Sequence, residues 1–138
     1  MRALAVLLLL SACAERASVD EEAAPTLAAP ISARGSRYAV ELRAHPAPPR
    51  VGELFRVTSH VTTLDGAPAR GARVELDATM PQHRHGMVTR PSHRELGDGE
   101  YLTEGMKLHM PGRWRLEVIV RGDRGEETLT ALVDQPPS

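Results

Sequence analysis

From Arg37 onward apolar and polar residues alternate with a period of two, and that alternation restricts the chain to one class of fold. Tyr38, Val40 and Leu42 alternate with Arg37, Glu41 and Arg43, and Phe55, Val57 and Val61 with Arg56, Thr58 and His60. Val74, Leu76 and Ala78 alternate with Arg73, Glu75 and Asp77. Trp114, Leu116, Val118 and Val120 alternate with Arg113, Arg115, Glu117 and Arg121, and Leu129, Ala131 and Val133 with Thr128 and Thr130. Successive side chains of a strand point to opposite faces, so each run buries one face and wets the other. Breakers part the runs: Pro46 to Pro49, Asp65-Gly66 with Pro68, Gly97-Asp98-Gly99, Gly112, and Gly122-Asp123-Arg124-Gly125. No stretch keeps helical spacing over three turns. The expectation is an all-β, immunoglobulin-like antiparallel β-sandwich of about seven strands. They are placed near residues 37–43, 53–61, 72–79, 92–96, 100–105, 112–121 and 126–133.

A length of 138 residues allows one such domain and little more. Aromatic residues make up only 3%, so the core must rest on Val, Leu and Ala packed around Trp114, Phe55, Tyr38 and Tyr101. A net charge of −1 gives no electrostatic footprint for nucleic acid. The single cysteine, Cys13, excludes an internal disulfide.

The amino terminus reads as an address. Met1-Arg2 carries an early positive charge, and Ala3 to Leu10 follows as an unbroken apolar run. That run has the length of a signal-peptide core and falls far short of the about 20 residues a membrane-spanning helix needs. Leu10-Ser11-Ala12-Cys13 then resembles a bacterial lipobox. The resemblance implies cleavage before Cys13 and a diacylglycerol thioether on its sulfur. The alternative is an ordinary secretory signal with an incidental cysteine. Residues 14–36 are rich in Ala, Ser, Pro and acid and lack a periodic apolar face, which predicts a disordered tether. The expected organisation is a signal peptide over 1–12, a lipid-anchored tether over 13–36 and a β-sandwich over 37–138. The expected location is the bacterial cell envelope, on its periplasmic face, with the bilayer as a partner through acylated Cys13.

Sulfur and imidazole are concentrated in one stretch. Setting aside Met1, all four methionines (Met80, Met87, Met106 and Met110) lie between residues 80 and 110, with His83, His85, His93 and His109. His83, His85 and Met87 stand at i, i+2 and i+4, a spacing that faces one side of an extended segment. Imidazole suits copper, zinc and nickel, whereas thioether selects copper, above all Cu(I). In an immunoglobulin-like sandwich the third and sixth of the expected strands are antiparallel neighbours. The segment after the one should then meet His109-Met110 before the other. Counting back from Trp114, Met110 is in the core phase and His109 is not; Met80 is also in the core phase. The metal-ligand candidates are therefore His83, His85, Met87 and His109, with Met110 as a fifth. His45 and His60 are expected at the surface, and His93 could join only if its strand folded over the site.

The strings Met80-Pro81-Gln82-His83-Arg84-His85-Gly86-Met87, Gly97-Asp98-Gly99-Glu100-Tyr101 and His109-Met110-Pro111-Gly112-Arg113-Trp114 resemble the YtkA-like domain family. That family is similar in turn to FixH-type and copper-resistance immunoglobulin-like domains. The resemblance covers about residues 37–133 and is strongest from Asp77 to Val120. It implies an envelope β-sandwich with a link to copper handling near oxidase assembly. Lys107-Leu108, where an apolar pair would be expected, is a departure that leaves the candidate ligands untouched.

Enzyme readings find no support: neither G-x-S-x-G nor H-E-x-x-H occurs, and the expectation is a protein that is not an enzyme. Two functions remain. One is a copper-binding or copper-delivering envelope lipoprotein that serves a copper-receiving protein. The other is a non-metal adaptor that is anchored to the membrane and binds another envelope protein.

Overall fold

The computed structural model describes residues 22–138; the signal peptide, Cys13 and residues 14–21 of the expected tether lie outside the described residues. The alternating runs become strands: β2 (Tyr38–His45), β3 (Phe55–Thr63), β4 (Arg73–Met80), β6 (Ser92–Gly97), β7 (Glu100–Met106), β8 (Gly112–Gly122) and β9 (Gly125–Gln135). Two short strands join them, β1 (Ile31–Arg34) and β5 (His85–Gly86). One sheet has the order β1-β2-β3-β7-β6 and the other β5-β4-β8-β9, and every pairing is antiparallel. Without β1 and β5, the order is that of an immunoglobulin constant-type sandwich. The β4–β8 pairing, which brings residues 80–87 beside the start of β8, is as the expected immunoglobulin-like topology predicts.

The alternation is also the burial pattern. Trp114, Leu116, Val118 and Val120 of β8 are buried, and they meet Tyr38, Val40, Leu42, Val57 and Val61 of the opposite sheet in one core. Tyr101 closes the sandwich at the β3–β4 connection. Its hydroxyl donates to the Ala69 carbonyl and accepts from the Ala72 amide at 3.1 Å. β6 buries no side chain fully. As an edge strand carrying Arg94 and Glu95 it is protected by charge and by a bulge between Glu95 and Gly97.

Residues 22–36, expected to be tether, instead belong to the domain. β1 pairs with β2, and Leu27 and Ile31 are buried. The Asp134 amide donates to the Pro25 carbonyl at 2.9 Å, and the Ala24 amide donates to the Asp134 carboxylate at 2.8 Å. Arg113 grips that carboxylate through Nε and Nη2 at 2.9 and 3.1 Å and also reaches the Glu22 carbonyl. These bonds hold the Asp134 carboxyl below its usual range, the Arg113 bond most of all. Two isolated apolar side chains four residues apart make no periodic signal, so the composition outweighed them in the sequence.

Candidate functional site

β4 and β8 run side by side, so the end of β4 and the start of β8 form one pole of the sandwich. The chain leaves β4 at Met80 and turns through Pro81, Gln82, His83 and Arg84. The His83 amide donates to the Met80 carbonyl at 3.1 Å, and the Arg84 amide to the Pro81 carbonyl at 3.3 Å. Arg84 takes a left-handed backbone, φ 55, which a side-chain-bearing residue adopts at some cost. That residue reverses the chain and returns His85 opposite Met80 and Gly86 opposite Thr79. The expected extended segment over His83, His85 and Met87 is therefore a hairpin. His83 sits on its exposed tip and His85 on its half-buried return strand.

The hairpin nevertheless brings the imidazoles together, and from β8's approach His109 joins them. The rings run in a row: His83 to His85 with centroids 5.8 Å apart, then His85 to His109 at 5.1 Å. Two imidazoles bound to one ion through nitrogens at about 2 Å place their centroids about 5–6 Å apart. Both pairs fall at that separation. Among the described residues, however, no three side chains of the His, Cys, Asp or Glu type form a ready-made cage. A third donor must come from the exposed His83 swinging inward or from a thioether.

Two polar atoms bear on whether such an ion fits. His85 Nδ1 lies 3.0 Å from the Gly86 carbonyl, a bond that makes Nδ1 the protonated nitrogen and leaves the Nε2 lone pair bare. His109 Nδ1 is buried without a hydrogen-bond partner among the described residues. A buried polar atom left unmatched costs about 1–3 kcal/mol, so its persistence calls for an explanation. An ion bound to this nitrogen would satisfy it, and imidazole with thioether is a donor set that fits copper.

The methionines divide. Met87 packs partly buried against the core, and its sulfur accepts the Lys107 amide at 3.4 Å, which leaves the second sulfur lone pair. Met110 also packs against the core, while its carbonyl accepts the Trp114 Nε1–H at 3.0 Å. Met80 and Met106 are wholly buried, as the phase of the alternation predicts for Met80. The Met80 methyl nearly fills the space where a Cβ on Gly112 would stand, 3.0 Å away, and Gly112 has φ 121. A glycine is therefore required where β8 starts.

The remaining histidines lie elsewhere. His93 points from β6 toward β4, where Nδ1 accepts the Leu76 amide at 3.5 Å and lies 3.1 Å from the Thr103 hydroxyl. It bridges the two sheets and does not join the row of imidazoles. His45 pairs with the Thr58 hydroxyl at 3.0 Å and His60 with Glu100 at 2.8 Å, both at the surface. One contributor was not legible in the sequence. Trp114, assigned to the core by its phase, also stands edge-on to His85 and His109 at 6.0 and 5.4 Å.

Residues 32–119 match the family model described as YtkA-like. No curated protein and no solved structure matches the chain.

Proposed function

The chain belongs to the YtkA-like family, and on that footing we propose that its histidine–methionine pole binds copper, with Cu(I) favoured. His85 and His109 are the central donors, and His83 and Met87 complete the set. The observation that supports the reading best is the buried, partnerless His109 Nδ1 beside a ring 5.1 Å away. Softness of the donors then selects the metal: thioether with imidazole suits Cu(I), whereas zinc sites are built from Cys, His and carboxylate. Met110 remains the fifth candidate donor; like Met87 it packs partly buried against the core.

The proposed setting is the bacterial envelope. Cys13, lipidated after cleavage of the signal peptide, would tie the domain to a bilayer, and another envelope protein would receive the metal. Eight residues lie between Cys13 and Glu22, a reach of at most about 30 Å when fully extended. The strap docked at Arg113 and Asp134 lies at the same pole as His109, so Glu22, from which the proposed tether would lead to Cys13, sits at the end that carries the candidate metal site.

Anaerobic competition titration with Cu(I), alongside Cu(II) and Zn(II), tests the reading. The expected result is saturable one-to-one Cu(I) binding that His109→Ala weakens at least about 100-fold, with the fold unchanged. Absence of binding by all three metals would overturn it and leave the membrane-anchored adaptor.

A further inference from the structure

The histidine–methionine pole differs from the rest of the surface in two ways. Val88, next after Met87, is 69% exposed, and Leu54, just before β3, is 65% exposed; no other large apolar side chain among the described residues exceeds 49%. The same segments carry four cations. Arg50 stands in the β2–β3 loop, whose Gly52 amide donates to the Leu108 carbonyl at 2.9 Å, beside His109. Arg84 lies on the hairpin tip, where its amide meets the Pro81 carbonyl. A Cβ on Gly105 would stand 3.9 Å from the Arg90 carbonyl, and the Lys107 amide donates to the Met87 sulfur at 3.4 Å. Among the described residues none of the four is in an ion pair, whereas at the opposite pole Asp98 answers Arg70 and Asp123 answers Arg124.

Residues 46–56, 81–91 and 104–111, which build this pole, hold five Lys and Arg against two acids, Glu53 and Glu104. The whole chain holds 17 against 18, so positive charge is gathered at this end. Apolar side chains enter the headgroup region of a bilayer and cations are drawn to its anionic phosphates; the two together are what a peripheral membrane surface offers. The path of the chain points the same way. The strap reaches Glu22, whose carbonyl accepts from Arg113 near the start of β8, and Cys13 lies at most about 30 Å beyond it. β8 has 11 residues and is about 35 Å long, so a tether of that reach falls short of laying the opposite pole on the bilayer. The acids of the tether, Asp20, Glu21 and Glu22, oppose contact with anionic lipid. Contact is therefore expected only with a bilayer to which the chain is tied, where tethering raises the effective concentration.

We infer that this pole, through Leu54, Val88, Arg50, Arg84, Arg90 and Lys107, docks on an anionic phospholipid bilayer, so that the candidate metal site faces the membrane surface. The inference rests on the proposed lipid anchor and needs no metal. A receiving protein would then have to present its donors at the membrane plane.

The test uses the processed, acylated protein in vesicles of phosphatidylcholine alone or mixed with phosphatidylglycerol. A polarity-sensitive dye is attached through Gln82→Cys, at an exposed hairpin position, or through Asp123→Cys, at the opposite pole; Cys13, the single native cysteine, is blocked by its lipid. On vesicles with phosphatidylglycerol the dye at position 82 should shift to the blue and return towards its aqueous emission at high salt, while the dye at position 123 stays aqueous. Arg50→Gln, Arg90→Gln and Lys107→Gln should each lower the contact equilibrium about fivefold, read as the ratio of shifted to unshifted dye. A position-82 dye that stays aqueous on protein that floats with the vesicles overturns the inference and leaves an acidic protein as the partner of this pole. Equal shifts at the two positions, or a shift that ignores both salt and the three substitutions, also overturn it. Protein that fails to float with vesicles carries no acyl chain; the anchor reading then falls and takes the inference with it, so flotation separates the two failures.

Discussion

The two poles of the sandwich treat their polar groups in opposite ways. At the pole where β8 ends and β9 begins, the Glu127 carboxylate accepts the Ser36 hydroxyl and the amides of Ser36, Arg37 and Tyr38. Burial alone would raise its pKa, but these four bonds overcome it and lower it to about 2. Beside it the Tyr38 hydroxyl donates to the Gly125 carbonyl at 3.1 Å and accepts the Arg124 amide at 3.0 Å. At the far pole His109 Nδ1 is buried with no hydrogen-bond partner among the described residues. A saturated network stabilises and needs nothing further. An unsaturated one gives up stability, and such sites concentrate where a ligand completes them.

The sharpest way to break this contrast is a double dissociation. His109→Ala should weaken Cu(I) binding at least about 100-fold while the melting temperature holds or rises, because an unmatched buried nitrogen is removed. Glu127→Ala should do the reverse, lowering the melting temperature with Cu(I) affinity unchanged. Parallel thermal melts and Cu(I) competition on the two variants measure both. Loss of Cu(I) affinity in Glu127→Ala, or a large stability loss in His109→Ala, would mean the poles are not functionally distinct.

Gly112→Ala comes next. Its φ of 121 is closed to side-chain-bearing residues, and the new Cβ would press on the Met80 methyl. A loss of about 2–3 kcal/mol is expected in urea unfolding, with weakened Cu(I) binding because β8's approach carries His109. Its counterpart at the saturated pole is Gly122, where no positive φ applies but a Cβ would come within 2.8 Å of the Tyr38 hydroxyl. Gly122→Ala should therefore cost stability through that hydroxyl's two bonds and leave metal affinity alone.

Glu127→Gln is milder. It keeps the shape and loses the charge on the acceptor, for about 1–2 kcal/mol once solvent screening is allowed for. The sign of its pH dependence follows from the depressed folded value. The contribution is present above the unfolded 4.5 and is lost as pH falls from there towards about 2. Acid unfolding of the unmodified protein should steepen in that window and that of Glu127→Gln should not.

The fold was far more legible in the sequence than the site, and the reason is physical. Strand alternation repeats over 50 or so residues, so the seven main strands and the β4–β8 neighbourhood could be read from runs such as Trp114 to Val120. The hairpin at Met80–His85 depends on one left-handed residue, Arg84, which has no sequence signature because arginine seldom adopts that conformation. The set of His83, His85 and His109 was legible as a concentration of donors, yet their geometry was not: the i, i+2, i+4 spacing of His83, His85 and Met87 suggested a straight strand. Trp114 carried a single signal, its phase, and phase cannot report what stands against the ring's edge. Leu27 and Ile31 were hidden by the polar, alanine-rich composition around them.

The smallest expected effect belongs to neither pole but to the bridge between the sheets. His93 Nδ1 accepts an amide hydrogen from Leu76, so the proton of its neutral ring sits on Nε2. A second proton would land on Nδ1 and face the Leu76 N–H. Burial, helped by Arg73, depresses the His93 pKa below 6.5, although Glu75 and Asp77 pull the other way. Below pH 6.5 the unfolded chain therefore binds a proton that the folded chain refuses, and stability falls as pH drops from 6.5 towards the folded value. His93→Gln keeps an acceptor for the Leu76 amide and removes the titration. Urea melts between about pH 7 and pH 5 should show a stability slope in the unmodified protein that His93→Gln flattens by less than about 1 kcal/mol. An unchanged slope in His93→Gln would show that the inter-sheet bond tolerates the charged ring. In that case the pH dependence would rest on the depressed carboxyls, Glu127 and Asp134 among them, acting in a separate, more acidic window.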